Sequence, residues 1–185
     1  MTWLDRPSEL LVLGLGNVLC GDDGVGPAAI NLLARRYDSP EGVMLIDGGT
    51  LGLALLPYIE DAQRVLLIDA VRTDQPPGSF VRLHGEEVAP AVAARLSVHQ
   101  VGVAELLEAA RWRGTYPPQL TLLGLVPDTL ELGLKRTAAV EAQLPELVER
   151  IVEEAARLGY RFREKNHETA GARGAGRDVA CVFEL

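Results

Sequence analysis

Four aspartates and one histidine stand where the chain can do chemistry. Asp22 and Asp23 lie in the glycine-rich stretch Gly14-Leu15-Gly16-Asn17-Val18-Leu19-Cys20-Gly21-Asp22-Asp23-Gly24-Val25-Gly26. Asp47 opens Asp47-Gly48-Gly49-Thr50, Asp69 closes the apolar run RVLLID, and His99 sits in Ser97-Val98-His99-Gln100. Carboxylates brought to one place by separate segments repel one another, and they persist there when a cation or hydrogen-bond donors offset the repulsion. Two carboxylate oxygens and an imidazole nitrogen make a facial donor set for a divalent transition metal with open positions. Such a set suits metal-assisted hydrolysis, in which the metal polarises a carbonyl or lowers the pKa of a water and a carboxylate oxygen takes the proton.

Each residue also has a plainer role. Asp22 and Asp23 suit the first turn of the following helix through its dipole. Asp47 before two glycines suits a turn. A lone histidine such as His99 is commonly a cap or a satisfied buried group. Only the joint placement of these residues favours the metal.

That placement rests on the elements between them. Glu9 to Gly14 (ELLVLG), Val43 to Asp47, Arg64 to Asp69 and Gln119 to Val126 (QLTLLGLV) are continuous apolar runs that read as buried strands, and Ser79 to Leu83 alternates like an edge strand. Helices are expected over Gly26 to Tyr37, with Pro27 in the first turn, and over Gln100 to Arg111. A short helix over Leu51 to Ile59 is expected to bend at Pro57. A helical turn is expected around Pro90 to Leu96. Pro145 to Leu158 carries its apolar residues on one helical face. Buried strands alternating with helices predict a three-layer α/β sandwich, a twisted, mostly parallel sheet of about five strands covered on both faces. In such a sheet ligands bind beyond the carboxyl ends of the strands. Asp22 or Asp23, Asp47 and Asp69 all follow strands and are expected at that edge, and His99, before a helix, is within reach of it. Residues 1–163 read as one domain. The Gly-, Ala- and Arg-rich residues 164–185 read as a mobile tail, in which Val179 to Phe183 could dock.

Several function classes are excluded. Gly14-Leu15-Gly16 begins a dinucleotide fingerprint, but Leu19 occupies its third glycine position; Asp47 keeps a weak ribose-binding alternative alive. There is no phosphate-loop motif, no HExxH and no nucleophile elbow. Cys20 reads as a small buried thiol rather than a nucleophile. The chain of 185 residues carries 18 Lys and Arg against 26 Asp and Glu, a net charge of −8, which argues against a nucleic-acid partner. No apolar run reaches the ~20 residues of a membrane helix, so no membrane insertion is expected. The start of the chain lacks a signal-peptide pattern. Two cysteines, Cys20 and Cys181, form no disulfide framework, and the expected compartment is the cytoplasm.

The same residues carry a resemblance. Leu13-Gly14-Leu15-Gly16-Asn17-Val18-Leu19, with Asp22-Asp23-Gly24-Val25-Gly26, resembles the opening motif of the hydrogenase maturation endopeptidases. The likeness continues through Asp47-Gly48-Gly49-Thr50-Leu51-Gly52, Leu67-Ile68-Asp69-Ala70-Val71, Pro77-Gly78-Ser79, Ser97-Val98-His99-Gln100-Val101-Gly102 and Leu122-Leu123-Gly124-Leu125-Val126-Pro127. It covers about residues 9 to 160, in the family's order. The resemblance implies a peptide hydrolase that cuts a C-terminal extension from the large-subunit precursor of a nickel-iron hydrogenase after nickel insertion. It implies metal contacts at Asp23, Asp69 and His99, with nickel supplied by the precursor as the recognition element and no organic cofactor. The first acid is often glutamate in that family and here is Asp23, one methylene shorter, beside a second acid, Asp22. The alternative from another class is a non-catalytic nucleotide- or metal-binding α/β module.

Overall fold

The computed structural model describes residues 8–93, 101–165 and 180–181. Its strands are β1 (Leu10–Leu15), β2 (Tyr37–Asp38), β3 (Val43–Gly49), β4 (Arg64–Ala70), β5 (Phe80–His84), β6 (Gln119–Leu125), β7 (Arg163–Glu164) and β8 (Ala180–Cys181). Its helices are α1 (Val25–Arg36), α2 (Leu56–Glu60), α3 (Val88–Ala93), α4 (Val101–Trp112) and α5 (Ala138–Arg157). The main sheet runs β5-β6-β4-β1-β3-β8. Every pairing in it is parallel except β5 against β6.

The continuous apolar character of β1 and β4 follows from this order. β1 is hydrogen-bonded on both edges, to β3 and β4, and helices cover both faces, so neither alternate set of side chains meets water. Leu10 and Val12 join the core under α1 and α5. Leu11, Leu13 and Leu15 join a second core under α2, α3 and α4. The expected three-layer arrangement, with five principal strands, is the one observed.

Three boundaries depart from expectation. The helix expected from Pro145 begins at Ala138 and carries Pro145 inside it. Proline favours a first helical turn, but here the buried Val140 and Leu144 pull the preceding two turns onto the core. The segment from Leu51 is a 3-10 turn over Gly52–Leu55 that passes into α2. Pro57 lies in the first turn of α2, where a missing N–H costs nothing, so it starts a helix rather than bending one. Within 164–185, the segment read as a tail, three of the described residues carry strand pairing. Glu164 pairs with Tyr37 in the β2–β7 ribbon, and Ala180 and Cys181 pair with Ile46 and Asp47 on the outer edge of β3. An exposed strand edge presents unpaired backbone groups, and a short β-prone segment satisfies them.

One ionic contact ties the sheet edge to its covering helix. Arg82 of β5 forms two hydrogen bonds to the carboxylate of Glu154 on α5, at 2.7 and 3.2 Å, and Arg157 adds a third at 3.0 Å. The Glu154 side chain is 5% exposed. The Arg82 hydrogen bonds hold its carboxyl below the usual carboxylate range, against the opposing effect of burial. A group depressed on folding contributes stability that is present above its unfolded pKa, about 4.3, and lost as pH falls through the folded value. Glu154→Gln is therefore expected to lower stability at pH 7 and to flatten the loss of stability below about pH 4.3. Urea midpoints measured from pH 7 to pH 3 check this; parallel acid limbs in the two proteins would sink it.

Candidate active site at the carboxyl edge of the sheet

The glycine-rich segment after β1 turns sharply because its backbone must pass close to other backbone. Gly16 has φ of +124°, and a Cβ there would fall 1.8 Å from the carbonyl oxygen of Asp23. Gly26 opens α1 against the strand ends; a Cβ there would meet the carbonyl oxygens of Leu15 and Ile68 at 2.2 and 2.4 Å. These two contacts draw the 3-10 turn Gly21–Gly24, and with it Asp23, over the ends of β1 and β4.

Asp23 is 4% exposed and Asp69 2%. Asp69 is the second-to-last residue of β4, and strand alternation puts it with Leu67 on the face toward α4. Both aspartates line one small cavity, about 10 Å³ in volume, together with Gly16, Gly49 and Val103. That is the room of one water-sized guest. Asp23 Oδ2 accepts the Asn17 N–H at 2.7 Å, and Asp69 Oδ1 accepts the Ala70 N–H at 2.7 Å. Each carboxylate is thereby oriented by a backbone donor.

Asp22 and Asp23 meet different surroundings. Asp22 is fully buried, and its carboxylate accepts the backbone N–H groups of Asp128, Thr129 and Thr137, at 2.9, 3.3 and 2.7 Å, and the Thr137 hydroxyl at 2.9 Å. Four donors occupy its lone pairs, so Asp22 anchors the loop between β6 and α5, while Asp23 faces the cavity. Asp22 stands in the first turn of the 3-10 segment that leads into α1, and its carboxylate also binds a distant loop. The partners lie more than 100 residues away, and no local sequence signal marks them.

Asp47 ends up at the expected edge but on the other face. It shares its side of β3 with Leu45, and its Oδ2 accepts the Asn31 side-chain amide of α1 at 3.2 Å. It does not join Asp23 and Asp69 at the cavity. Cys20 is half-buried rather than fully buried. His84 lies on β5, its Nδ1 3.0 Å from the Thr121 hydroxyl. His99 falls outside the described residues, as does His167; α4 begins two residues after His99, and Val103 on its first turn lines the cavity. Among the described residues no group of three His, Cys, Asp or Glu is placed to hold a metal ion; Asp23 and Asp69 are two carboxylates of the expected set. Among the described residues, too, no helix is long and apolar enough to cross a membrane.

Comparison with known proteins agrees with this architecture. The family model described as hydrogenase maturation protease matches residues 27–154. The hydrogenase 2 maturation protease of Escherichia coli (strain K12) is 35% identical over 145 residues, which cover 78% of this chain and 88% of that protein. The hydrogenase expression/formation protein HoxM of Azotobacter vinelandii is 36% identical over 167 residues, 89% of this chain and 77% of that protein. Among solved structures, the hydrogenase maturating endopeptidase HybD from E. coli superposes with a TM-score of 0.81 at 33% identity, covering 85% of this chain and 98% of that one. The [NiFe] hydrogenase maturation protease HybD from Thermococcus kodakarensis gives 0.65 at 28% identity, covering 80% and 99%. These matches overturn the alternative of a non-catalytic nucleotide- or metal-binding module. On the matched span and these identities, the chain belongs to the hydrogenase maturation protease family.

Proposed function

We propose that this chain removes the C-terminal extension of a nickel-iron hydrogenase large-subunit precursor once nickel has been inserted, and that it does so in the cytoplasm. Asp23, Asp69 and His99 contact the nickel carried by the precursor. The observation that carries the reading is the convergence of two buried carboxylates, Asp23 and Asp69, on one ion-sized cavity at the carboxyl edge of the sheet. Two buried carboxylates that line one cavity favour a cation there. A precursor loaded with nickel presents that cation, and an unloaded one does not. Binding therefore senses the metal and holds the scissile peptide beside it.

Hydrolysis follows from the same groups. A water attacks the scissile carbonyl carbon, and a carboxylate oxygen of the site takes its proton. The C–N bond then breaks, and the proton passes to the departing amine, leaving a carboxylate on the shortened subunit. The nickel of the substrate supplies polarisation of the carbonyl or activation of the water. Asp47, hydrogen-bonded to Asn31, acts at one remove by holding β3 just before the Gly48–Gly49 backbone.

The test is incubation with a large-subunit precursor from the same genome, with and without nickel, followed by intact-mass measurement of both products. Cleavage at a single bond, at least 100-fold faster with nickel, is expected. Equal rates on loaded and unloaded precursor would refute nickel as the recognition element.

A further inference from the structure

Four large apolar side chains are exposed on two joined loops, one of which borders the cavity. Val18 and Leu19, in the turn between Gly16 and Asp23, are 54% and 53% exposed; Leu132 and Leu134, in the loop between β6 and α5, are 87% and 78% exposed. The two loops are one unit. Gly133 N donates to Leu19 O at 2.9 Å, Gly21 N donates to Gly133 O at 2.7 Å, and Cys20 and Gly133 form a parallel bridge. The base of the second loop is fixed by the Asp22 carboxylate. Leucines that merely tolerate water need no such anchorage, whereas leucines held in a fixed array are ready to be covered.

The geometry points to this array as the dock for an apolar segment of the large-subunit precursor beside its scissile bond. The inference rests on the function proposed above and adds where the substrate is gripped. Continuity carries the argument: Gly16 and Asp23 line the cavity, and Val18 and Leu19 lie between them in the chain, so a peptide that carries its metal to the cavity and runs on along this side passes over the array. Size supports it as well. Four such side chains expose on the order of 400–500 Å², the scale of a functional patch on a monomer. That is about half of the ~800 Å² per partner in a standard interface, too little for a stable dimer of this chain but sufficient as an extension of a peptide already held beside the cavity.

The test compares the full chain with its Leu132→Ser/Leu134→Ser variant on nickel-loaded precursor, at concentrations spanning KM. KM is expected to rise at least tenfold with kcat unchanged within twofold. Precursor binding, measured by stopped flow with otherwise wild-type sequence before turnover sets in, is expected to weaken by the same factor. An unchanged KM overturns the inference, and so does a fall in kcat at constant KM, which would make the loop a catalytic aligner. Sedimentation velocity of the free chain covers the remaining occupant: a wild-type dimer lost in the double variant gives the array to a second copy and overturns the assignment to the precursor. A wild type that leaves nickel-loaded precursor intact fails the proposed function. The binding comparison then still decides the docking surface, and a precursor that binds neither form overturns it.

Discussion

Asp69→Asn is expected to lower cleavage of nickel-loaded precursor by at least about 10³-fold while leaving the fold intact. The magnitude is that of removing a proton-accepting or cation-holding group from a hydrolytic site. The substitution is well matched to the local geometry. Asn keeps an oxygen where Asp69 Oδ1 accepts the Ala70 N–H at 2.7 Å, so this buried backbone donor stays satisfied and the strand end has no reason to move. What is lost is the charge at the cavity that Asp69 lines with Asp23. A precursor metal would then meet a single carboxylate there. Intact-mass kinetics, beside a thermal melt within about 2 °C of the wild type, separate a lost site from a lost fold. Cleavage at the wild-type rate would remove Asp69 from the proposed mechanism.

Asp22→Ala, one residue from the proposed catalytic acid, is expected to do the opposite and act on stability. Its carboxylate takes four hydrogen bonds from Asp128, Thr129 and Thr137 and is fully buried. Truncation leaves three backbone N–H groups and a hydroxyl without their acceptor. Water re-entering the loop recovers part of this, and a net loss of about 3–5 kcal/mol is expected. Against a typical total of about 5–15 kcal/mol for a domain, this is a large fraction. Urea unfolding measures it directly. A loss under about 1 kcal/mol would show that the loop between β6 and α5 does not depend on this anchor. The two buried acids thus separate experimentally: the Asp22 change moves the unfolding midpoint, and the Asp69 change moves the turnover.

What could be read from the amino-acid order alone was governed by range. β1 and β4 announced themselves because a strand covered on both faces has no polar side to break its apolar run. Asp69 was legible for the same reason, as the polar residue that ends such a run. Asp47 was legible as to its edge of the sheet, but its face was not. Its side is set by register in β3 and by Asn31 of α1, and a one-residue change of parity decides which core a strand side chain joins. The start of α5 was hidden by Pro145, whose local preference for a first turn yields to the burial of Val140 and Leu144. Asp22 was hidden more thoroughly, because a buried carboxylate that binds a loop 106 to 115 residues away leaves no pattern in its own neighbourhood. The family resemblance named Asp23 in its place, and in the structure Asp23 lines the cavity together with Asp69.

β1, paired on both edges and roofed on both faces, has a consequence in time as well as in space. Amide hydrogens there can exchange with solvent only when much of the molecule opens, whereas those of β5, at the rim of the sheet, need only a local excursion. The loop bearing Asp23 springs from the end of this slowest-breathing strand, and Asp69 stands at the end of its neighbour. Fraying at the rim can therefore come and go many times while the two acids keep their mutual spacing.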